Sequence, residues 1–251
     1  MMNGFFTLYK RNFIKYFRNP MWIFLGLMQP MLYLLLYMPI LQNIGIDGNS
    51  GNTGKIASIF VPGMLVNNVL GGFFTAYGFI DDMRRGIIDR WLVAPISKTT
   101  IVVSSIAGHI VNGIVQNLLL IGAGLFFGLN ISMSILIVSI FLCSILAVST
   151  IAISHAIAIT LKDEGALAAF TNSIYLPLML LSGSMLPIKM APEWLQNIAS
   201  LNPLYYIVEG NRDIFLGNYT SLAVIKAFVI GIGAAAISLF FTVRALRKYV
   251  E

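Results

Sequence analysis

Few residues in this chain carry side chains that could do covalent or metal chemistry. The two histidines, His109 and His155, and the single cysteine, Cys143, are the candidates for base, nucleophile or metal ligand. An enzyme inside a membrane would need a nucleophile beside a base, or several ligands converging on one point. These three are scattered through apolar helices, so no catalytic residue and no metal site is expected. His109, Asn112 and Gln116 share one face of a helix, but a proton relay there lacks an intramembrane Asp or Glu to pair with, and packing is the alternative. The Gly-rich stretch Gly48–Lys55 ends in Gly54-Lys55 and invites comparison with a phosphate-binding loop. That pattern requires Gly where Asn49 stands and Ser or Thr where Ile56 stands, so the chain is expected to bind no nucleotide itself. Two richer stretches remain: the charged segment Asp81–Ser97 and the Pro-interrupted segment Leu181–Gly217.

The elements that position these stretches follow from composition. Hydrophobic residues make up 58% of the 251 and charged residues only 10%, against about 25% charged in a soluble domain. Such a chain cannot cover its own surface in water, so the bilayer is its solvent. Spanning segments must then satisfy their backbone internally, as helices or a closed barrel, and long apolar runs without period-two alternation select helices. One cysteine rules out a disulfide framework. The net charge of +6 reads as membrane-surface attraction, not nucleic-acid binding, because the basic residues flank the apolar runs.

Charge-free runs cover residues 19–46, 56–80, 99–161, 165–188 and 227–243. A span needs about 20 apolar residues, and the third run is long enough for two, with a polar break at residues 129–132. The expectation is an all-α integral membrane protein with six spans, at 21–41, 57–80, 101–127, 133–160, 166–185 and 222–243, where Lys226 snorkels to the interface. The first run exceeds a signal-peptide core of about 7–15 residues and no small-residue cleavage site follows it, so an uncleaved first span is expected. With both termini on one side, that side carries 12 of the 16 Lys and Arg residues. The positive-inside rule places both termini in the cytoplasm. Phe6, Tyr9, Phe13 and Phe17 recur at helical spacing with Arg11, Lys15 and Arg18 on another face, which suits an interfacial amphipathic helix before the first span; a plain basic flank is the alternative. Residues 47–55 read as an external loop.

Asp81–Ser97 is the one long cytoplasmic connection. Met83, Ile87 and Trp91 fall at i, i+4 and i+8, and Asp81–Arg85 and Arg85–Asp89 are i, i+4 pairs, before Pro95 stops the helix. A charged helix with an apolar stripe beneath the membrane suits a groove on a partner, with Arg84, Arg85 and Arg90 at the rim; a solvated anchoring loop is the other reading. In Leu181–Gly217, Pro187, Pro192 and Pro203 break helices, Trp194, Tyr205 and Tyr206 are interface-seeking aromatics, and Glu209 and Arg212 stand at i, i+3. Within the spans lie Gln29, Asn67, Asn68, Thr171, Asn172 and Tyr175. Uncharged polar groups in hydrocarbon face protein or water, so these line a pathway or bond helix to helix. Gly124 and Gly128 form a GxxxG that suits helix packing.

The two stretches carry a family resemblance. Arg84, Arg85, Gly86, Asp89, Arg90, Leu92, Pro95 and Ser97 are similar to the coupling segment of the ABC-2 family of ABC transporter permeases, although Ile87 and Ile88 stand where that family often has Thr and Leu. Ser182-Gly183, Pro187, Pro192, Trp194-Leu195, Asn202-Pro203, Glu209 and Arg212 resemble the family's region before the last span. The resemblance covers essentially the whole chain, 1–251, as a single transmembrane domain.

The resemblance implies a cytoplasmic interfacial helix at 1–20, a coupling segment at 81–100, and an extracytoplasmic helical hairpin at 186–220 that re-enters the outer leaflet. In that hairpin Pro187, Trp194, Pro203, Tyr206, Glu209 and Arg212 would cap the exit. It also implies that the first, second and fifth spans line the pathway. The partners would be two ATP-binding cassette subunits, which hold ATP and Mg, a second permease subunit, identical or homologous, and membrane lipids. The chain itself would need no cofactor. Met83, Arg84, Arg85, Gly86, Ile87, Asp89, Arg90, Trp91, Leu92 and Pro95 would meet the ATPase. The expected role is a non-enzymatic export subunit in a bacterial cytoplasmic membrane, moving an amphipathic drug-like, lipid-linked or polymer substrate. The short loops and the 182–203 motif look more like the drug-export branch than the polysaccharide exporters. An ATP-independent secondary transporter is the alternative, but it predicts mid-membrane acidic residues, and all ten acidic residues lie at span ends or in loops.

Overall fold

The structure, a computed structural model, describes residues 2–18, 20–44, 53–93 and 97–250. Residues 45–52, which hold most of the expected external loop, and Pro95 lie outside the described residues. The described residues form helices joined by short turns, with no strand among them: α1 (Met2–Phe17), α2 (Pro20–Ile44), α3 (Thr53–Leu70), α4 (Ala76–Arg84), α5 (Ile87–Val93), α6 (Lys98–Phe126), α7 (Met133–Leu161), α8 (Glu164–Leu181), α9 (Glu193–Ala199), α10 (Pro203–Phe215) and α11 (Leu222–Val250). A 3-10 stretch, Gly71–Phe74, joins α3 to α4. Among the described residues, five stretches are long and apolar enough to cross a membrane: Ile56–Arg84, Thr99–Phe126, Met133–Leu161, Glu164–Leu181 and Leu222–Arg247. α2 runs 25 residues, Pro20–Ile44, and encloses the 21–41 span expected from charge spacing; its described apolar stretch is Gly26–Ile40.

The helix ends follow local chemistry. Ser97, Ser132 and Asp163 cap α6, α7 and α8 by accepting the backbone N–H three residues on, which satisfies donors that have no partner inside the helix. Asn202 caps α10, with Pro203 in its first turn, where the missing N–H costs nothing. Gly54 and Lys55, which invited comparison with a phosphate-binding loop, belong to the first turn of α3.

α3 is the central helix. Residues 60–70 are all buried, including Asn67 and Asn68, because α2, α6, α7 and α10 surround it. α7 and α11 pack along one another, with Thr242 donating to the Ala152 carbonyl at 2.6 Å. Side-chain contacts fix which helix ends lie together. Arg84 pairs with Glu164 at 2.9 Å, so the end of α4 and the start of α8 share one end of the bundle, termed the charged end. Asn211 of α10 bridges the Pro62 carbonyl and Ser139, so the starts of α3 and α7 lie at the opposite end.

α1 does more than flank the bundle. Its Leu8 and Asn12 are buried, and a Cβ placed on Gly108 of α6 would stand 3.1 Å from the Asn12 Cβ.

Candidate functional site

At the opposite end the structure builds a buried polar cluster around α10. Arg212 is 5% exposed. Its Nε donates to the Ile59 carbonyl at 3.0 Å, one terminal nitrogen donates to Glu209 at 2.8 Å, and the other donates to the Gly183 carbonyl. The second Glu209 oxygen meets Lys189 Nζ at 2.8 Å. Burial pulls the Arg212 pKa down from its ordinary value, and the Glu209 carboxylate opposes that shift. The hydrogen bond and charge of Glu209 hold Lys189 above its ordinary value, and burial raises Tyr205.

This cluster depends on two features of α3. Pro62 interrupts the helical ladder, and carbonyls in that turn, those of Ile59 and Pro62, accept donors from α10. Gly63 lets the 182–184 turn approach: a Cβ there would overlap the Ser184 carbonyl oxygen. The end of α8 is also tied to the start of α10, since Asn202 donates to the Leu178 carbonyl at 2.8 Å. Pro187 and Pro203 bound these turns, Tyr206 donates to the Ser200 carbonyl at 2.9 Å, and Trp194 is exposed on α9.

At the charged end the expected single helix is broken. Gly86 has φ +65°, a conformation that costs glycine little and other residues much, and it separates α4 from α5. Met83, Ile87 and Trp91 therefore do not form one continuous ridge. Met83 and Trp91 pack inward against the bundle. Arg11 of α1 meets Asp82 at 3.1 Å and lies 4.7 Å over the Trp91 ring. Asp82 is buried, so one guanidinium fixes α1, α4 and α5 together. Arg85 pairs with Asp81 at 2.8 Å, which raises the Arg85 pKa through that hydrogen bond. Arg84, Arg85, Asp89, Arg90 and Val93 are exposed.

The polar span residues separate into two groups. Asn67, Asn68, Thr171 and Tyr175 are buried: Asn68 donates to Asn117 at 2.9 Å, and Tyr175 packs edge-on to Phe74 with centroids 5.2 Å apart. Gln29 and Asn172 are exposed, and Asn172 donates back to the Ala168 carbonyl. His155 bonds Ser105 and the Ile151 carbonyl, and its ring lies 5.8 Å from that of His109.

A family model for the ABC-2 type transporter matches residues 3–216. The chain belongs to that family. It is 31% identical over 241 residues to ycf38 of Cyanophora paradoxa, named a transport permease, covering 93% of this chain and 83% of that one. It is 24% identical over 233 residues to the inner membrane transport permease YadH of Escherichia coli K12, covering 88% and 90%. To DrrB1 of Streptomyces coeruleorubidus, named a daunorubicin resistance ABC transporter permease protein, it is 19% identical over 224 residues, covering 88% and 78%. The chain is thus a multi-pass membrane permease.

Sequence reasoning missed several residues of the permease that join its helices. Asn211 is fully buried between α3 and α7, and nothing local distinguishes it from a surface Asn beside Arg212. Asn117 and Arg11 were equally silent, because their partners Asn68 and Asp82 lie far away in sequence.

Proposed function

We propose that this permease is the membrane-spanning subunit of an ATP-driven exporter in a bacterial cytoplasmic membrane. It has six spans, α2 included, both termini in the cytoplasm, and the 186–220 hairpin in the outer leaflet. A second permease subunit, identical or homologous, completes the pathway, and two ATP-binding cassette subunits hold ATP and Mg at the charged end. The observation that carries this reading is the α4–α5 unit: it is pinned to α1 through Arg11 and to the start of α8 through Arg84, yet presents Arg85, Asp89, Arg90 and Val93 outward. A partner pushing on that face would move several helices together. Exposed Gln29 and Asn172 suit a pathway between subunits better than the enclosed Asn67 and Asn68. The name of DrrB1 favours an amphipathic drug-like substrate over a lipid-linked or polymer one.

Inside-out vesicles carrying the permease with a co-expressed ATP-binding cassette subunit test this. ATP should drive uptake of a fluorescent amphipathic dye, and a proton gradient alone should not. Uptake driven by the gradient and indifferent to ATP would overturn the reading in favour of a secondary transporter.

A further inference from the structure

Between the starts of α7 and α11 lies an open groove of about 440 Å³. Val138, Val224, Phe228 and Val229 form its apolar walls, and Ser134 and Tyr219 stand at its rim. The Ser134 and Tyr219 hydroxyls are 2.9 Å apart, and Ser132 lies 2.9 Å from Ser134. A row of three hydroxyls joined by two hydrogen bonds keeps one O–H to donate outward. Lys226 does not line the groove itself, but it is exposed and precedes groove-lining Val229 by three residues, which makes the two neighbours on the surface of α11. Its ammonium lies 5.9 Å from the Tyr206 ring centroid, and among the described residues no carboxylate pairs with it.

We propose that this groove binds one acyl chain of an anionic phospholipid, with the phosphate held by Lys226 and the hydroxyl row. The groove lies between two helices long and apolar enough to cross a bilayer, and Ile225 and Val229 of its lining are exposed, so hydrocarbon is what reaches it. A chain lying between two walls gains dispersion contacts that a chain on a convex helix lacks. The cation and the spare O–H stand at the helix starts, at headgroup level, and their charge selects an anionic head. The proposal goes beyond transport function: it requires only that α7 and α11 span.

Photo-crosslinking tests it. The full-length permease is reconstituted in vesicles of phosphatidylcholine and phosphatidylglycerol, one of the two carrying a diazirine in its acyl chain, and crosslinked peptides are mapped by mass spectrometry. Crosslinks to residues 134–138 and 224–229 should favour phosphatidylglycerol about fivefold, the effect of one cation near the surface. Lys226→Gln should remove that preference, and Val138→Trp should remove the crosslinks by filling the groove. Peptides around Leu119, exposed on α6, should show no preference. Equal labelling by both lipids at the groove, the same preference at Leu119, or a preference that survives Lys226→Gln would each overturn the proposal.

Discussion

The two ends of the permease both use arginine to join helices, but in different surroundings. The Arg212 side chain is 7% exposed and binds two backbone carbonyls as well as Glu209. The Arg84 side chain is 52% exposed and, among the described residues, binds the Asp163 and Glu164 carboxylates at the start of α8. A buried guanidinium bound to backbone cannot let go without leaving unpaired polar groups, whereas an exposed ion pair exchanges with water at little cost. Arg11, bound to buried Asp82 and stacked on Trp91, is intermediate. The contacts around α10 are thus costly to break, while the Arg84 contacts between α4 and α8 exchange cheaply with water.

Substitutions can break or sharpen that contrast. Gly63→Ala should have the largest effect, about 3 kcal/mol, because the new methyl meets backbone that cannot rotate away; thermal unfolding in detergent measures it. Glu209→Ala should follow closely, since it strands a buried cation, and should exceed Arg212→Ala, which leaves Glu209 paired with Lys189. Equal losses would mean that Lys189 does not hold Glu209. Arg212→Lys should not restore stability, because an ammonium lacks the fork that reaches both carbonyls. Arg11→Ala should cost about 1 kcal/mol through the ion pair and the ring contact, and should lower ATP-driven transport more than stability. Arg84→Ala should cost less than about 0.5 kcal/mol, and added salt should erase even that.

Much of the architecture was legible in the sequence because charge is so costly inside a bilayer. Gaps between charged residues, with the polar break at 129–132 dividing the longest of them, located α6, α7, α8 and α11 closely, and the i, i+3 spacing of Glu209 and Arg212 announced their pair. The break at Gly86 was not legible: the Met83, Ile87 and Trp91 repeat continues through it, and only the left-handed backbone reveals two helices. The carbonyl partners of Arg212 were hidden for another reason. Ile59 and Gly183 contribute main chain, so their side chains carry no signal, and the contacts exist only once α3, α10 and the 182–184 turn have packed.

The proposed mechanism stands or falls on the outward face of α4–α5 receiving the ATP-binding subunit. With Cys143 replaced, single cysteines at Arg90, Val93 and Asn218 can be tested for crosslinking to a co-expressed ATP-binding cassette subunit. Arg90→Cys and Val93→Cys should crosslink to it, and Asn218→Cys should not. Crosslinking from Asn218, or none from Arg90 and Val93 in a complex that still hydrolyses ATP, would contradict that mechanism.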